Sequence, residues 1–357
     1  MFAQLPFEIV DDIVKYLDFN SVRSIACVCS AFRLPAQLRL FRTVQIVSYA
    51  HDPCANHTDS ILSSPHLLQC SSNLHIGPLS MQPPFIHRLW SLLPTMSRLR
   101  NVHIFLQFDD CSTALSALES LGSAREIALN VRPALGTDMI ISDHPLPVHS
   151  LDVHVDASAR HVVARLVQKC SQSLRRLIIF PQDNTTPPLP FLPHLYELTI
   201  GTTMSLMRDD PDLVSWFPFL SQNPTITRIF LGDRFTLAVQ PPPDLLPNLQ
   251  FLHATPTIIE RLVPGRPVNH IRTEYFPGTA HQFPNDIMFR SLRQSFVSVT
   301  TLAILTTVHL PNDGLINIVQ SLPQLCDFTV DWPCDEVRQL SQGKRSKLIR
   351  NRFLQPC

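Results

Sequence analysis

The sequence predicts an α/β fold: a three-helix head followed by a curved solenoid of short parallel strands and crossover helices. Three observations predict it. Apolar residues recur at helical spacing through the first forty-odd positions. A short phrase then returns about every 25 residues, reading apolar, two variable residues, apolar, one variable, apolar. Helix-period segments lie between its copies. The expected division is a helical head at 1–42, a repeat array at 43–335 and a basic cap or tail at 336–357.

In the head, Leu5-Pro6 opens the first helix, since proline is tolerated where its missing donor would be unpaired anyway. Ile9, Ile13 and Leu17 repeat every four residues and make an apolar stripe, supported by Val10 and Val14. Asp18 and Asn20 interrupt the stripe and offer side-chain oxygens to cap a second helix from Val22 through Ile25 and Ala26. Val28, Cys29, Phe32 and Leu38 continue as a third, with Pro35 marking a bend or restart. Three helices of this size cannot bury all these apolar groups among themselves, so the excess should meet the following domain or another protein.

The array reads just as directly. Clear copies of the phrase are Phe41-Val44-Ile46, Leu99-Val102-Ile104, Ala124-Ile127-Leu129, Val148-Leu151-Val153 and Leu174-Leu177-Ile179. Others are Leu195-Leu198-Ile200, Ile226-Ile229-Leu231, Leu249-Leu252-Ala254, Val299-Leu302-Ile304 and Leu325-Phe328-Val330. Weaker copies occur at Leu74-Ile76 and Val268-Ile271. The last two apolar positions of each copy are two apart and share one side of a strand. Crossover helices are expected around Phe85–Leu93, Ala114–Leu121, Ala159–Cys170, Leu213–Leu220 and Leu315–Leu322, the fourth capped by Asp210-Pro211. Right-handed crossovers stack such units into a solenoid. A single α/β sheet domain is the competing architecture. A doubly wound nucleotide fold is not supported, because no glycine-rich loop precedes a helix.

The head resembles an F-box. The resemblance rests on Leu5-Pro6-x-Glu8-Ile9, Ile13, Leu17-Asp18, Val22, Val28-Cys29, Phe32-Arg33 and Leu40-Phe41-Arg42, with Phe32 where many members carry tryptophan. It implies docking on the small adaptor subunit of a cullin-type ubiquitin ligase. By position, Leu5, Pro6, Ile9 and Ile13, with Leu17, Val28, Cys29 and Phe32, would be the adaptor contacts or their immediate support. The array resembles the leucine-rich-repeat part of F-box proteins, especially the irregular versions common in mushroom-forming fungi. That repeat family places asparagine or cysteine after its strand leucines to satisfy turn backbone groups. Gln107, Arg132, Asp156 or proline stands there instead.

If the array is a solenoid, the variable strand positions line its concave face. Arg176, Ile178, Phe180, Arg228, Phe230, Phe251 and His253 are the candidate substrate contacts, arginine beside aromatic and aliphatic anchors. Asp152, His154, Glu197, Thr199, His270 and Arg272 share the same positions. The alternative is that the aromatics lie buried under Pro187-Pro188-Leu189-Pro190 and Pro241-Pro242-Pro243, which read as stiff spacers.

Composition narrows the function. The chain has 357 residues, 29 basic and 29 acidic side chains and 16% charged residues, which excludes a disordered chain and a polybasic nucleic-acid binder. Proline outnumbers glycine 32 to 9, so connections are stiff and phosphate cradles scarce. Nine cysteines at irregular spacing fit reduced thiols better than a disulfide framework. No apolar run is long enough to span a bilayer, and Glu8, Asp11 and Asp12 stand where a secretory leader needs apolar residues. A soluble cytoplasmic or nuclear protein is expected. His51, Cys54 and His57, with His66 and Cys70, match no strong zinc spacing, and Asp109-Asp110 and Asp209-Asp210 read as caps and turns. The basic stretch Lys344, Arg345, Lys347, Arg350 and Arg352 reads as a closing helix. No catalytic motif, metal or cofactor site is expected.

The expected function is therefore a non-catalytic, substrate-recognition subunit of a ubiquitin ligase. Adaptor, and through it cullin, would bind at the head and a protein substrate at the array, with no nucleic-acid or membrane partner. A repeat scaffold without a ligase and a hydrolytic α/β enzyme are the alternatives.

Overall fold

A computed structural model describes residues 5–48, 63–79, 83–107, 111–121, 124–132, 143–155, 159–181, 186–201, 211–275, 286–306, 318 and 320–331. The chain divides into two compact units, Met1–His154 with His161–Leu174, and Val155–Arg160 with Arg175–Cys357.

The first unit begins with α1 (Phe7–Tyr16), α2 (Phe19–Val28) and α3 (Ser30–Leu40). Pro6 sits just before α1, where no intrahelical donor is needed. The Asp18 carboxylate accepts from the Ser21 backbone N–H at 2.9 Å and caps α2, satisfying one of the donors left free at the helix start. Hydrogen bonding to Ser21 holds the Asp18 carboxyl below its ordinary value. Pro35 neither ends nor restarts α3, which runs through it. The head has its own core of Val10, Val14, Val22, Phe32 and Ala36, with Leu17, Ile25, Ala26, Cys29 and Leu40 packed around it. The buried side of α1 is thus Val10 and Val14, while Ile9 and Ile13 of the apolar stripe stay outside this core. Both sets repeat every four residues, and the positions of α2 and α3 decide between them.

After the head come β1 (Thr43–Ser48), α4 (Pro65–Leu68), β2 (Asn73–Leu79), α5 (Pro83–Leu92), β3 (Asn101–Gln107), α6 (Cys111–Glu119), β4 (Glu126–Arg132), β5 (Ser150–Val155) and α7 (Arg160–Cys170). Strands β1 to β5 pair in chain order, every pair parallel. The helical turn α4 lies a few residues before β2.

The second unit holds β6 (Arg176–Pro181), β7 (Glu197–Ile200), a 3-10 turn (Leu213–Trp216) running into α8 (Phe217–Gln222), β8 (Arg228–Leu231), β9 (Phe251–His253), α9 (Pro256–Leu262), β10 (His270–Tyr275), α10 (Asp286–Arg293), β11 (Thr301–Thr306) and β12 (Asp327–Asp331). Its strands also pair parallel and in chain order. Each copy of the apolar phrase, weak ones included, places an apolar residue in one of these twelve strands, although Ala254 falls one residue beyond β9. The architecture is three N-terminal helices followed by a solenoid of parallel strands alternating with crossover helices. Asp212 rather than Asp210 caps the turn before α8, accepting from Val214 N–H at 3.0 Å; Asp210 lies outside the described residues. Most of the helix expected at Leu315–Leu322 also lies outside them.

Burial alternates along the strands. Leu151, Val153, Leu177, Ile179, Leu252, Leu302 and Ile304 face the helices and are sealed. Each such aliphatic contributes roughly 1.5–3 kcal/mol by leaving water. The first apolar residue of the phrase (Leu99, Leu174, Leu195, Ile226, Leu249) is equally buried and roofs the same core from the turn before the strand.

Repeats are also joined by backbone at the strand entrances. The carbonyl of Arg42 accepts from Ser72 and Asn73 N–H, that of Ser72 from Arg100 and Asn101, and that of Arg100 from Arg125 and Glu126. In the second unit the carbonyls of Arg175, Tyr196, Thr227, Gln250, Asn269 and Thr300 each accept two consecutive N–H groups of the next repeat, at 2.8–3.2 Å. These bonds use only main chain, so the turn side chains are free to vary, and interval length can vary with them.

Buried and half-buried polar side chains close what the main chain leaves open. Asn223 accepts from Leu192 N–H and donates to the Phe219 carbonyl. Ser173 Oγ reaches the carbonyls of Leu146 and Val148, and Ser295 Oγ those of Arg266 and Val268. Arg266 is almost fully buried and donates to the carbonyls of Leu245, Leu262, Pro264 and Pro242. It ties Pro241-Pro242-Pro243 to the C-terminal end of α9, where a positive charge also meets the helix dipole favourably.

Candidate functional site

Two surfaces stand out. On the head, burying Val10 and Val14 turns the neighbouring positions of α1 outward. Ile9 is 48% and Ile13 37% exposed, and Leu5 precedes them at the same four-residue spacing. Val28, at the end of α2, is 80% exposed. Pro6 is exposed, Leu17 and Cys29 are half-buried against the head core, and Phe32 lies inside it. The eight sequence-predicted residues therefore separate into an outward set and a set that shapes the helices beneath. Leaving several aliphatic side chains in water on one short helix is unfavourable unless another surface covers them.

On the second unit, the strand face opposite the helices carries the predicted array residues. In-register pairing places Arg176, Glu197, Arg228, Phe251 and His270 in one row across β6 to β10. Ile178, Thr199, Phe230, His253 and Arg272 form the next row. Ile178, Phe180, Phe230, Phe251 and His253 are half-buried, while the intervening Leu177, Ile179, Ile229 and Leu252 are sealed. The strands thus face as the sequence pattern required. Pro242 and Pro243 of the proline-rich loop are exposed, and Arg266 holds the loop to α9.

The rows interlock through charge and rings. Glu197 is 9% exposed, and its two oxygens face Arg176 Nε at 2.8 Å and Arg228 Nε at 3.3 Å. The Arg228 guanidinium lies 5.0 Å from the Phe251 ring centre and 5.7 Å from that of Phe230, within cation–π range. Phe230 and Phe251 are 4.7 Å apart, and His253 meets Phe230 edge-on at 6.0 Å. His253 Nε2 contacts Glu274 Oε1 at 3.2 Å, and this hydrogen bond holds the Glu274 carboxyl below its ordinary value. Sequence reasoning placed Glu197 on this face without a role and did not single out Glu274. The signal for Glu274 was its place two residues beyond Arg272, on the same side of β10.

The first unit presents a different row. Asn101 Nδ2 donates to Asn73 Oδ1 at 2.7 Å, and Asn73 Nδ2 to Thr43 Oγ1 at 3.1 Å. Beside it, His75 stacks on His103. Among the described residues no group of three or more His, Cys, Asp or Glu is gathered to hold a metal ion. His51, Cys54, His57, Asp109 and the basic stretch from Lys344 to Arg352 lie outside the described residues. No described helix is long and apolar enough to cross a membrane.

Comparison with known families agrees with the head. The F-box domain model matches residues 2–34, which span α1, α2 and the start of α3. The chain therefore carries an N-terminal F-box domain followed by a repeating parallel-strand and helix solenoid. No curated protein matches the chain.

Proposed function

We propose that this protein is the substrate-recognition subunit of a cullin-type ubiquitin ligase. Its F-box domain would dock on the adaptor, and its leucine-rich-repeat-like array would hold a protein substrate. The observation that carries the reading is the split of α1 into a buried side, Val10 and Val14, and an apolar exposed side, Ile9 and Ile13. A head with a complete core of its own and aliphatic anchors left outside is built to share a second core with a partner. Leu5, Pro6, Ile9, Ile13 and Val28 would make the contact, with Leu17, Cys29 and Phe32 supporting them. The substrate would lie across Arg176, Ile178, Phe180, Arg228, Phe230, Phe251 and His253. No residue of this chain would perform transfer. Its contribution would be the effective concentration of a substrate lysine beside a charged conjugating enzyme.

Co-purification of the full chain with the adaptor tests the reading. Changing Ile9 and Ile13 together to aspartate should abolish capture while the far-ultraviolet circular dichroism stays unchanged. Undiminished capture by the double variant would sink the contact model.

A further inference from the structure

We infer that the strand face of the second unit recognises a singly charged carboxylate set beside an aromatic or branched aliphatic side chain on a partner peptide. The inference rests on the reading that this face binds substrate, and adds the chemistry of what is bound.

Glu197 is the key to the argument. Its carboxylate is nearly sealed, whereas the side chains of Arg176 and Arg228 are 47% and 45% exposed. Both arginines meet it through Nε. A guanidinium held by Nε directs most of its terminal N–H groups elsewhere, and a planar fork so held has already lost much of its rotational freedom. Glu197 therefore acts from beneath, fixing two forks whose remaining donors suit an oxygen anion. Phe230 and Phe251 wall the site beside Arg228, which gives an apolar neighbour of the anion a surface to cover.

Charge decides which anion. Two arginines less one glutamate leave a single positive charge at the site. Extending the count to Arg272 and Glu274, the next charged pair on the face, leaves the same single charge. One carboxylate neutralises it. A doubly charged phosphate would leave the site with an excess negative charge beside Glu197 and Glu274. An aspartate or glutamate side chain and a free chain terminus supply the same carboxylate, and the test below separates them.

A synthetic hexapeptide library is the probe, displayed on beads and containing aspartate, glutamate, their amides and phosphoserine. Half its members end in a free carboxylate and half in an amide. Incubated with the full chain in low salt, it should yield peptides with a carboxylate within two residues of an aromatic or branched aliphatic side chain. Such peptides should bind at least about tenfold better than their amide counterparts, as expected for charge-assisted bidentate contacts. Enrichment confined to peptides with a free terminus would identify that source, and enrichment independent of the terminus would identify side chains. Arg176→Met and Arg228→Met should each remove the carboxylate preference. Glu197→Gln should raise phosphoserine relative to glutamate, because it adds a net positive charge while its one amide oxygen can still accept from a single Nε–H; thermal melts confirm that each variant folds.

Wild-type selection of phosphoserine over glutamate, or an unchanged ranking in Glu197→Gln, would overturn the charge argument. Selection that needs Phe230 and Phe251 but ignores acidic residues would remove the carboxylate inference and leave the substrate face in place. Selection that depends on no residue of the face would remove both.

Discussion

The rings of His75 and His103 lie face to face, 4.6 Å between centres and 8° from parallel, on neighbouring strands of the first unit. Stacking takes one ring face of His103 out of water, and a proton on either ring opposes one on the other. Both effects hold the His103 imidazole below its ordinary value. As pH falls through about 6.5, the unfolded chain takes up this proton before the folded chain does. Stability contributed by the pair is thus complete above that pH and is lost on acidification. The urea midpoint of the first unit should fall between pH 7.5 and pH 5.5, and His103→Gln should flatten that slope. A slope untouched by the substitution would show that other groups set it.

Gly201, just after β7, has no room for a side chain. A Cβ there would collide with the Phe180 ring on the adjacent repeat. Gly201→Ala should destabilise the second unit by about 1–3 kcal/mol, the usual cost of overpacking. Adding Phe180→Ala should recover much of the overpacking loss, since the ring is the obstacle. A double-mutant cycle in guanidinium reads this coupling directly, and additive losses would refute it.

Arg266 is the buried cation that the sequence did not announce. Its four carbonyl acceptors come from the proline-rich loop and from the end of α9, segments that side-chain periodicity cannot connect. Burial pulls its guanidinium below the usual arginine range, yet each acceptor is fixed by the fold, so the charge is well satisfied. Arg266→Met would orphan those carbonyls and should cost at least about 2 kcal/mol. Arg266→Lys should recover little, because one ammonium cannot span acceptors arranged for a fork. Hydrogen exchange should accelerate first at Leu245 and Val263, whose amides bond to the carbonyls of Pro242 and Ile259 within the two segments that Arg266 joins.

Legibility in the sequence followed the physics of each feature. The strands were readable because two-residue alternation and burial on one side are local consequences of a pleat. Leu177 and Ile179 therefore announced β6 without any partner in view. The outward set Arg176, Ile178 and Phe180 followed from the same alternation. What joins the repeats was not readable, since the carbonyls of Tyr196 or Thr227 act through main chain and impose nothing on residue type. The Glu197 brace escaped for a related reason: its partners sit 21 residues before it and 31 after it, a distance set only by the register of three strands.

The head supplies the sharpest contrast, because Ile9 and Val14 lie on the same helix and carry similar apolar groups. Val14 is 1% exposed within the head core, and Ile9 is 48% exposed. Val14→Ala removes two buried methyl groups from a core of few residues, and should cost about 1–3 kcal/mol by lost transfer energy and the cavity left behind. Ile9→Ser removes a side chain that water already reaches, and should change stability by no more than about 0.5 kcal/mol. The order should invert for adaptor capture. Ile9→Ser would weaken it strongly at unchanged stability, while Val14→Ala would weaken it only as far as it unfolds α1. Thermal unfolding and capture measured on both variants give four numbers. A large stability loss in Ile9→Ser would mean that the exposed side of α1 is completed by this chain itself, leaving nothing for an adaptor to cover.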